Sequence, residues 1–183
     1  VWLEAKKAKT QIPNSIWESY SSFANTEGGI ILLGVVEEND YSLTVNGVED
    51  AHKLVTDFWN IVNNRQKVSV NILTNNMVNV MDMDGKHIVT IEVPRAERTM
   101  RPVYIGQDPM TGTYVRYGEG DHLCNRDQVA AIYRDAAAIT SDTKVLKGLD
   151  MSVFDMNTVH DYRNYFNGKH PGHVWSKQED ELF

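Results

Sequence analysis

Two adjacent glycines separate a helical pattern from an unbroken apolar run near the start of the chain. Before Gly28 and Gly29, apolar residues from Ile16 to Ala24 recur at i, i+4, i+7 and i+8, the spacing of one helix face. After the glycines, residues 30–36 read IILLGVV, a run of strand length that is too short to cross a membrane. Because paired glycines favour a turn over a continued helix, the sequence predicts a helix that turns directly into a buried strand.

Helical and alternating patterns follow one another along the rest of the chain, and together they predict a mixed sheet flanked by helices. In the first half of the chain the predicted elements are a strand at 1–8, a helix at 15–25 with a Ser15–Glu18 capping box, a strand at 30–37 and a helix at 51–63 capped by Asp50. Strands at 68–72, 78–80 and 88–93 follow, with a hairpin turn at Asp84-Gly85 between the last two. The remaining predicted elements are extended pieces at 103–105 and 113–116, a helix at 126–136 capped by Asn125, and a further helix at 155–166. This succession is typical of the α+β, or mixed α/β, class. We expect one domain at 1–137 and a helical linker or tail at 138–183.

The charge balance restricts how such a chain can bind nucleic acid. Its 183 residues include 18 Lys and Arg against 25 Asp and Glu, a net charge of −7. Proteins that bind nucleic acid usually carry a basic excess, because neutralised phosphates supply much of the affinity. An acidic chain therefore needs a local basic patch, and the sequence offers two clusters of cations: Lys6, Lys7 and Lys9, and Arg95, Arg98 and Arg101.

Targeting signals and cysteine pairs are absent from the sequence. No apolar stretch approaches 18 residues and no secretory signal is present, so we expect a cytoplasmic protein without a membrane partner. The single cysteine, Cys124, excludes an internal disulfide and a cysteine-based zinc site.

Five short blocks occur in an order that carries a family resemblance. They are Leu3-Glu4-Ala5-Lys6, Phe23-Ala24-Asn25-Thr26-Glu27-Gly28-Gly29, Ile31-Leu32-Leu33-Gly34-Val35, Pro102-Val103-Tyr104 and Tyr114-Val115-Arg116-Tyr117-Gly118. The helical pattern at 126–136 follows them. Over residues 1–137 the chain resembles the Schlafen AlbA_2 domain, which implies that fold and a role in binding nucleic acid.

The resemblance implies a DNA-binding domain of a bacterial-type transcriptional regulator or RecG-like, helicase-related protein. Its partner would be DNA or RNA, and binding would need no cofactor. The residues expected to bind are Lys6, Lys7, Lys9, Asn25, Thr26, Gly28, Gly29, Arg98, Arg101 and Arg116. The tail looks like the linker of bacterial members, and both ends of the chain look like cuts within a longer protein, so we expect a further C-terminal region. Because Schlafen cores pair two copies of the fold and this chain has one, we expect a homodimer.

An enzymatic alternative rests on two acidic residues. Schlafen members with ribonuclease activity use three acids, and Glu4 and Glu37 match two of them, with Glu38 one position away from the second. The third acid would precede Val1. Mg²⁺ or Mn²⁺ takes hard oxygen ligands of this kind and stabilises the attacking and leaving oxygens. The resemblance thus implies a divalent-metal-dependent endoribonuclease as the alternative, with Glu4 and Glu37 as catalytic residues and metal ligands.

Simpler interpretations stay open for each of these residues. The Asn25–Gly29 loop can contact phosphate through backbone N–H groups, or it can only end the helix. The cations can form a phosphate-binding groove or be scattered solvated charges, and Glu4 and Glu37 can be solvated acids at strand ends. No Gly-x-x-x-x-Gly-Lys-Ser/Thr motif occurs, so ATP hydrolysis is not expected. A third alternative is a dimerising scaffold or sensor that does not bind nucleic acid.

Overall fold

A computed structural model describes residues 2–137, 148 and 151–178. The chain divides into two compact units, residues 1–140 and 141–183. In chain order the elements of the first unit are β1 (Trp2–Lys6), α1 (Ser15–Asn25), β2 (Gly29–Leu33), β3 (Val35–Glu37), β4 (Leu43–Val45), α2 (Ala51–Val62), β5 (Val78–Met83), β6 (Lys86–Val93), α3 (Pro109–Gly112), β7 (Tyr114–Tyr117), β8 (Gly120–Leu123) and α4 (Arg126–Ala136).

Four strands form a mixed sheet in the order β1-β2-β6-β5. β1 runs parallel to β2, whereas β6 is antiparallel to both of its neighbours. The cross-strand pairs Ile31–Ile91 and Leu33–Val89 are fully buried on the core side. The predicted hairpin turn is present, since Asp84 and Gly85 both have positive φ, as a type I′ turn requires. The predicted fold class, a mixed sheet flanked by helices, is confirmed.

The helices α1 and α2 cover the core side of this sheet. α1 contacts β1, β2 and β6 and also β7, so it joins the sheet to the separate β7–β8 hairpin. The indole of Trp17 stacks on the ring of Phe58 from α2, with centroids 5.4 Å apart. Burial of such large aromatic side chains supplies much of a domain's hydrophobic stabilisation.

The predicted strand at 30–37 is interrupted at Gly34. Gly34 has φ +88°, and a Cβ there would lie only 3.0 Å from the carbonyl carbon of Gly47. The Gly34 carbonyl accepts hydrogen bonds from Asn46 and Gly47, so the chain crosses itself closely at this point. As a result β3 leaves the main sheet and pairs with β4, a strand that the sequence pattern did not predict.

The predicted strand at 68–72 is wrong, although its apolar side chains do face the core. Within this stretch the only ladder contact is a single bridge between Val68 and Ile105. The hydroxyl of Tyr20 takes the place of a neighbouring strand, because it accepts from the Ile72 N–H at 3.0 Å and donates to the Val70 carbonyl at 3.2 Å. Burial raises the pKa of Tyr20 to about 12, with the bond from Ile72 partly opposing the rise.

Two of the three predicted helix caps are present. The side chain of Asp50 accepts from the Lys53 N–H, and Asn125 forms a capping box with Gln128. The Ser15–Glu18 capping box is wrong, because Asn14 is the residue at the N-cap position and makes no side-chain capping bond. Asn14 already has helical φ and ψ, so Ser15 lies inside the helix.

The described residues of the second unit, 148 and 151–178, form one longer helix, α5 (Met156–Lys169), with single 3₁₀ turns at Met151–Val153 and Val174–Lys177. The side chain of Asp155 caps α5, which matches the predicted helix at 155–166. The ring of Phe166 lies against those of His170, His173 and Trp175. In the part of the chain that the structure describes, no helix is both long and apolar enough to span a bilayer.

Candidate functional site

A buried arginine joins β1 to the β7–β8 hairpin. Arg116 lies on β7 with its side chain only 4% exposed. Its Nη1 atom donates to Glu4 Oε2 at 2.9 Å and to Asp121 Oδ1 at 2.8 Å. Its guanidinium also lies over the rings of Trp2 and Phe23, at 5.8 and 5.3 Å from their centroids. The family motif Tyr-x-Arg-x-Gly thus places its arginine inside the protein.

Charge neutralisation makes this burial tolerable. Burial alone would lower the pKa of Arg116, but hydrogen bonds and negative charge from Asp121 and Glu4 outweigh it and raise the pKa. Burial would likewise raise the pKa of Asp121, yet bonds from Ser19, at 2.7 Å, and from Arg116 hold it below its ordinary value. Asp121 is therefore ionised at neutral pH.

Glu4 is held by cations on both of its oxygens. Oε2 binds Arg116, and Oε1 lies 2.9 Å from the ammonium of Lys6. Two of the predicted phosphate-binding cations, Lys6 and Arg116, therefore already face a carboxylate. Any phosphate or metal ion at this point competes with an existing ion pair.

One cavity brings the two predicted catalytic acids together. It has a volume of 430 Å³, and its lining includes Glu4, Glu37 and Glu119 together with Arg116. We call it the acidic cavity. Glu37 lies at the end of β3, which contacts β1, and this contact places Glu37 near Glu4. Within residues 2–137, 148 and 151–178, no three His, Cys, Asp or Glu side chains are grouped so that they could hold a metal ion.

A second cavity lies at the other end of β1 and is bordered by cations. It has a volume of 340 Å³ and is lined by Lys7, Ala8, Lys9, Gly34, Asn46 and Gly47. Lys86 adjoins it, since its Nζ donates to the Val45 carbonyl at 2.7 Å and its Cβ lies against Gly47. Lys9 is loosely paired with Glu49 at 3.5 Å, with both side chains more than half exposed. We call this the basic cavity.

Lys7 and Asn46 are the free polar groups of the basic cavity. Both side chains are exposed, and neither makes a hydrogen bond or ion pair with any residue that the structure describes. The cavity therefore has one unengaged ammonium, one unengaged amide and two further lysines at its edge.

The Asn25–Gly29 loop makes internal contacts throughout. Asn25 is 7% exposed, and its amide nitrogen donates to the carbonyls of Val103 at 2.7 Å and Tyr114 at 2.9 Å. Its Oδ1 accepts from the Val103 N–H at 2.8 Å. The hydroxyl of Thr26 accepts from the Arg116 N–H at 2.9 Å. These hydrogen bonds engage the polar side-chain atoms of Asn25 and Thr26 inside the protein, so a role of the two residues in binding nucleic acid stays a prediction.

The two glycines of the loop are required by close packing. Gly28 has φ +77°, and a Cβ there would lie 2.8 Å from the Val93 carbonyl oxygen. A Cβ at Gly29 would lie 2.6 Å from the ring of Phe23. Larger residues at either position would push the helix away from the sheet.

The arginine cluster binds the end of α4. Arg98 donates to the carbonyls of Asp135 and Ala137, and Arg101 pairs with the Asp135 carboxylate at 3.2 Å. Arg95 pairs with Glu27 at 3.0 Å. Basic side chains at a helix C-terminus are stabilising. These contacts leave a role of Arg98 and Arg101 in binding nucleic acid as a prediction.

Sequence reasoning missed Asp121, Glu119, Asn46 and Lys86. A signal existed for Asp121, because it follows the turn after β7 and stands opposite Arg116 in the hairpin register. No local pattern marks Asn46 or Lys86, which reach the basic cavity only through the crossing at Gly34.

Solved structures that are similar to this chain include an NMR structure and a crystal structure. The N-terminal domain of a RecG-related protein from Nitrosomonas europaea, solved by NMR, is 24% identical with a TM-score of 0.47, over 67% of this chain and 82% of that one. The DIP2311 protein of Corynebacterium diphtheriae is 15% identical with a TM-score of 0.51, over 98% of this chain and 31% of that one. The second similarity supports the fold alone. A search of curated proteins returns no match.

Two family descriptions match the sequence. Residues 130–183 match a domain of unknown function, DUF8451, which lies largely in the second unit. Residues 1–125 match the family described as Schlafen, AlbA_2, and these residues contain β1 through β8, both cavities and the Arg116 cluster. More than half of the chain is covered by that match, and so the chain belongs to the Schlafen AlbA_2 family.

Proposed function

We propose that the first unit binds nucleic acid, DNA or RNA, through phosphate contacts at the basic cavity. The observation that carries the proposal is the grouping of Lys7, Lys9 and Lys86 around one cavity with the unengaged amide of Asn46. Of these lysines, Lys9 is paired with Glu49, and Lys7 has no ion pair with any described residue, in a chain whose net charge is −7. Lysines and amide groups of this kind are typical phosphate contacts.

The finer parts of the proposal follow from the family. We place the domain in a cytoplasmic transcriptional regulator or helicase-related protein, with the second unit connecting it to a further region. Phosphate contacts carry no sequence information by themselves, so the basic cavity would position a strand rather than select it. Binding at lysines needs no cofactor.

Salt dependence of binding tests this proposal. Lys7→Ala and Lys9→Ala should each weaken binding of DNA and RNA oligonucleotides similarly for all sequences and reduce the slope of log K against log salt by about 0.7–0.9. Lys53→Ala is the matched control, because Lys53 is an exposed lysine on α2 that pairs with Asp57 outside both cavities. Unchanged affinity and slope in both cavity variants would refute the location, and no binding at low salt would refute the function.

A metal-dependent ribonuclease is the second candidate, favoured by the meeting of Glu4 and Glu37 in the acidic cavity. Mg²⁺ or Mn²⁺ would have to be held by Glu4 and Glu37, because no three such side chains in the described part of the chain are grouped around a metal site, and it would neutralise the charge that develops on the phosphate. To bind Glu4, the ion would have to displace Arg116 or Lys6 from its carboxylate, whereas Glu37 could bind the ion without such a displacement.

Cleavage of RNA in the presence of Mn²⁺ tests this candidate. Glu37→Gln should abolish cleavage, whereas Glu38→Gln should not, because Glu38 is the neighbouring exposed acid outside the acidic cavity. Glu4→Gln is less informative alone, since it also breaks the ion pairs of Glu4 with Arg116 and Lys6. Equal cleavage by all variants, or none by the wild type at stoichiometric enzyme, counts against the nuclease.

A further inference from the structure

A third cavity, separate from the acidic and basic cavities, lies between the start of α1 and the end of α2. It has a volume of 530 Å³, within the range of ligand-binding clefts. Its apolar lining comes from Trp17, Ile61 and Ile105. The indole of Trp17 is backed by the stacked ring of Phe58, which holds it in a fixed orientation.

The rim of this cavity carries polar groups that make no hydrogen bond or ion pair within the described part of the chain. They are the side chains of Asn14, Glu18, Gln66 and Lys67. Glu18 is half-buried, and the pKa of the neighbouring Tyr114 is raised by burial and, to a smaller extent, by the negative charge of Glu18. A negative and a positive group therefore face the same apolar space, with amides beside them.

Hydrogen bonds fix the walls of the cavity. Gly106 N–H donates to the Lys67 carbonyl at 2.8 Å, and Ile105 N–H donates to the Gly112 carbonyl at 2.9 Å. Single bridges join Val68 to Ile105 and Tyr104 to Thr113. The loop that carries Ile105 and Gly106 is thereby held against the segment that follows α2, and the cavity is preformed rather than created by a ligand.

We propose that this cavity binds one nucleotide, with the base on the apolar lining, the base edge at Glu18 and the phosphate at Lys67. A flat base suits an aromatic and aliphatic lining, and splayed-out bases are bound in this way by single-strand-binding proteins. A carboxylate accepts hydrogen bonds and donates none, and guanine presents two adjacent donors, its ring N–H and its amino group. Adenine presents an amino group beside a ring acceptor, so Glu18 favours guanine.

The same chemistry could come from a free nucleotide or from an unpaired residue of a strand. In the second case the inference rests on the proposed function, and the cavity would add base selection to the phosphate contacts of the basic cavity. In the first case it stands without that function.

An NMR titration of the whole chain tests the proposal, following the Trp17 indole N–H and the Gly106 amide. GMP should shift both signals and bind more tightly than AMP or guanosine. Glu18→Gln should weaken the binding of GMP about tenfold and remove the preference for GMP over AMP, because a charge-assisted hydrogen bond is lost. Lys67→Ala should lower the affinity for GMP to the affinity for guanosine, because the contact to the phosphate is lost. Lys53→Ala and Glu38→Gln are controls that should change neither.

A short guanine-containing RNA separates the two sources. If the strand shifts the Trp17 signal and a Lys7→Ala, Lys9→Ala double variant abolishes this while GMP still binds, the cavity acts on strands. If GMP binds and the strand does not bind at all, the proposed function fails and the nucleotide site stands. Absence of Trp17 shifts with both millimolar GMP and the strand would overturn the inference, as would shifts that Glu18→Gln and Lys67→Ala leave unchanged.

Discussion

Replacing Asn25 with alanine distinguishes a structural role of the Asn25–Gly29 loop from a phosphate-binding role. The Asn25 amide makes three hydrogen bonds to backbone groups of Val103 and Tyr114. At about 1 kcal/mol for each bond, their loss lowers the free energy of unfolding by about 3 kcal/mol, since alanine leaves these groups buried without this partner. In a protein of this size that corresponds to a fall in melting temperature of about 6–12 °C.

Urea denaturation of Asn25→Ala measures this loss directly, with Asn39→Ala as an exposed control. The midpoint should fall while the m value stays constant, because the surface exposed on unfolding is unchanged. Nucleic-acid affinity, measured where the variant is still folded, should change less than twofold. A loss of affinity without a loss of stability, or a destabilisation below about 1 kcal/mol, would show that the structural argument is wrong.

Three further measurements test the core, the charge cluster and the surface. Arg116→Met should lower stability by about 3–5 kcal/mol at pH 7 in urea denaturation. The difference from wild type should shrink in acid, because the lowered pKa of Asp121 makes its contribution fully present above its ordinary pKa and lost as the pH falls through the lowered one. Wild-type stability should decline by roughly 2 kcal/mol between pH 10 and 12, since Tyr20 has its pKa raised to about 12, and Tyr20→Phe should remove this part of the decline. If the outer face of the sheet, which carries the exposed side chains of Leu3 and Met81, pairs two copies, light scattering should give twice the chain mass of 20.8 kDa. A Leu3→Asp, Met81→Asp double variant should then be monomeric. A wild-type mass near 20.8 kDa at high protein concentration would contradict the dimer.

Local signals made the helices and the main hairpin predictable. Asp84-Gly85 and Asn125 act within a few residues of themselves, so the sequence alone contains their cause. The stretch at 68–72 has the alternation of a strand, but its backbone is bonded by Tyr20, which is about 50 residues away in sequence. An apolar alternation reports which side chains face the core, not which group satisfies the backbone.

The candidate site was partly readable for the same reason. The family resemblance marked Glu4, Glu37 and Arg116, and the structure puts all three on one cavity. The sequence could not show that Arg116 is buried, because its charge is neutralised by Asp121, which lies on the other strand of the hairpin. The basic cavity depends on the chain crossing at Gly34, which no pattern of apolar residues encodes.

The charges along β1 predict opposite responses of the two cavities to a divalent metal. Around Arg116, the cations Arg116 and Lys6 cancel the carboxylates of Glu4 and Asp121, so the acidic cavity keeps the negative charges of Glu37 and Glu119 and repels phosphate. Each such repulsion is about 1 kcal/mol at 4 Å in water and more where water is excluded.

A bound Mg²⁺ or Mn²⁺ would reverse this sign at the acidic cavity, whereas at the basic cavity it would only compete with lysines for phosphate. At constant ionic strength, Mn²⁺ should therefore strengthen strand binding if the acidic cavity holds the ion, and Glu37→Gln should convert that gain into the small loss expected from competition. Binding that weakens equally with Mn²⁺ in wild type and Glu37→Gln would mean that only the lysine end of β1 meets the strand, which leaves the nuclease alternative without a metal.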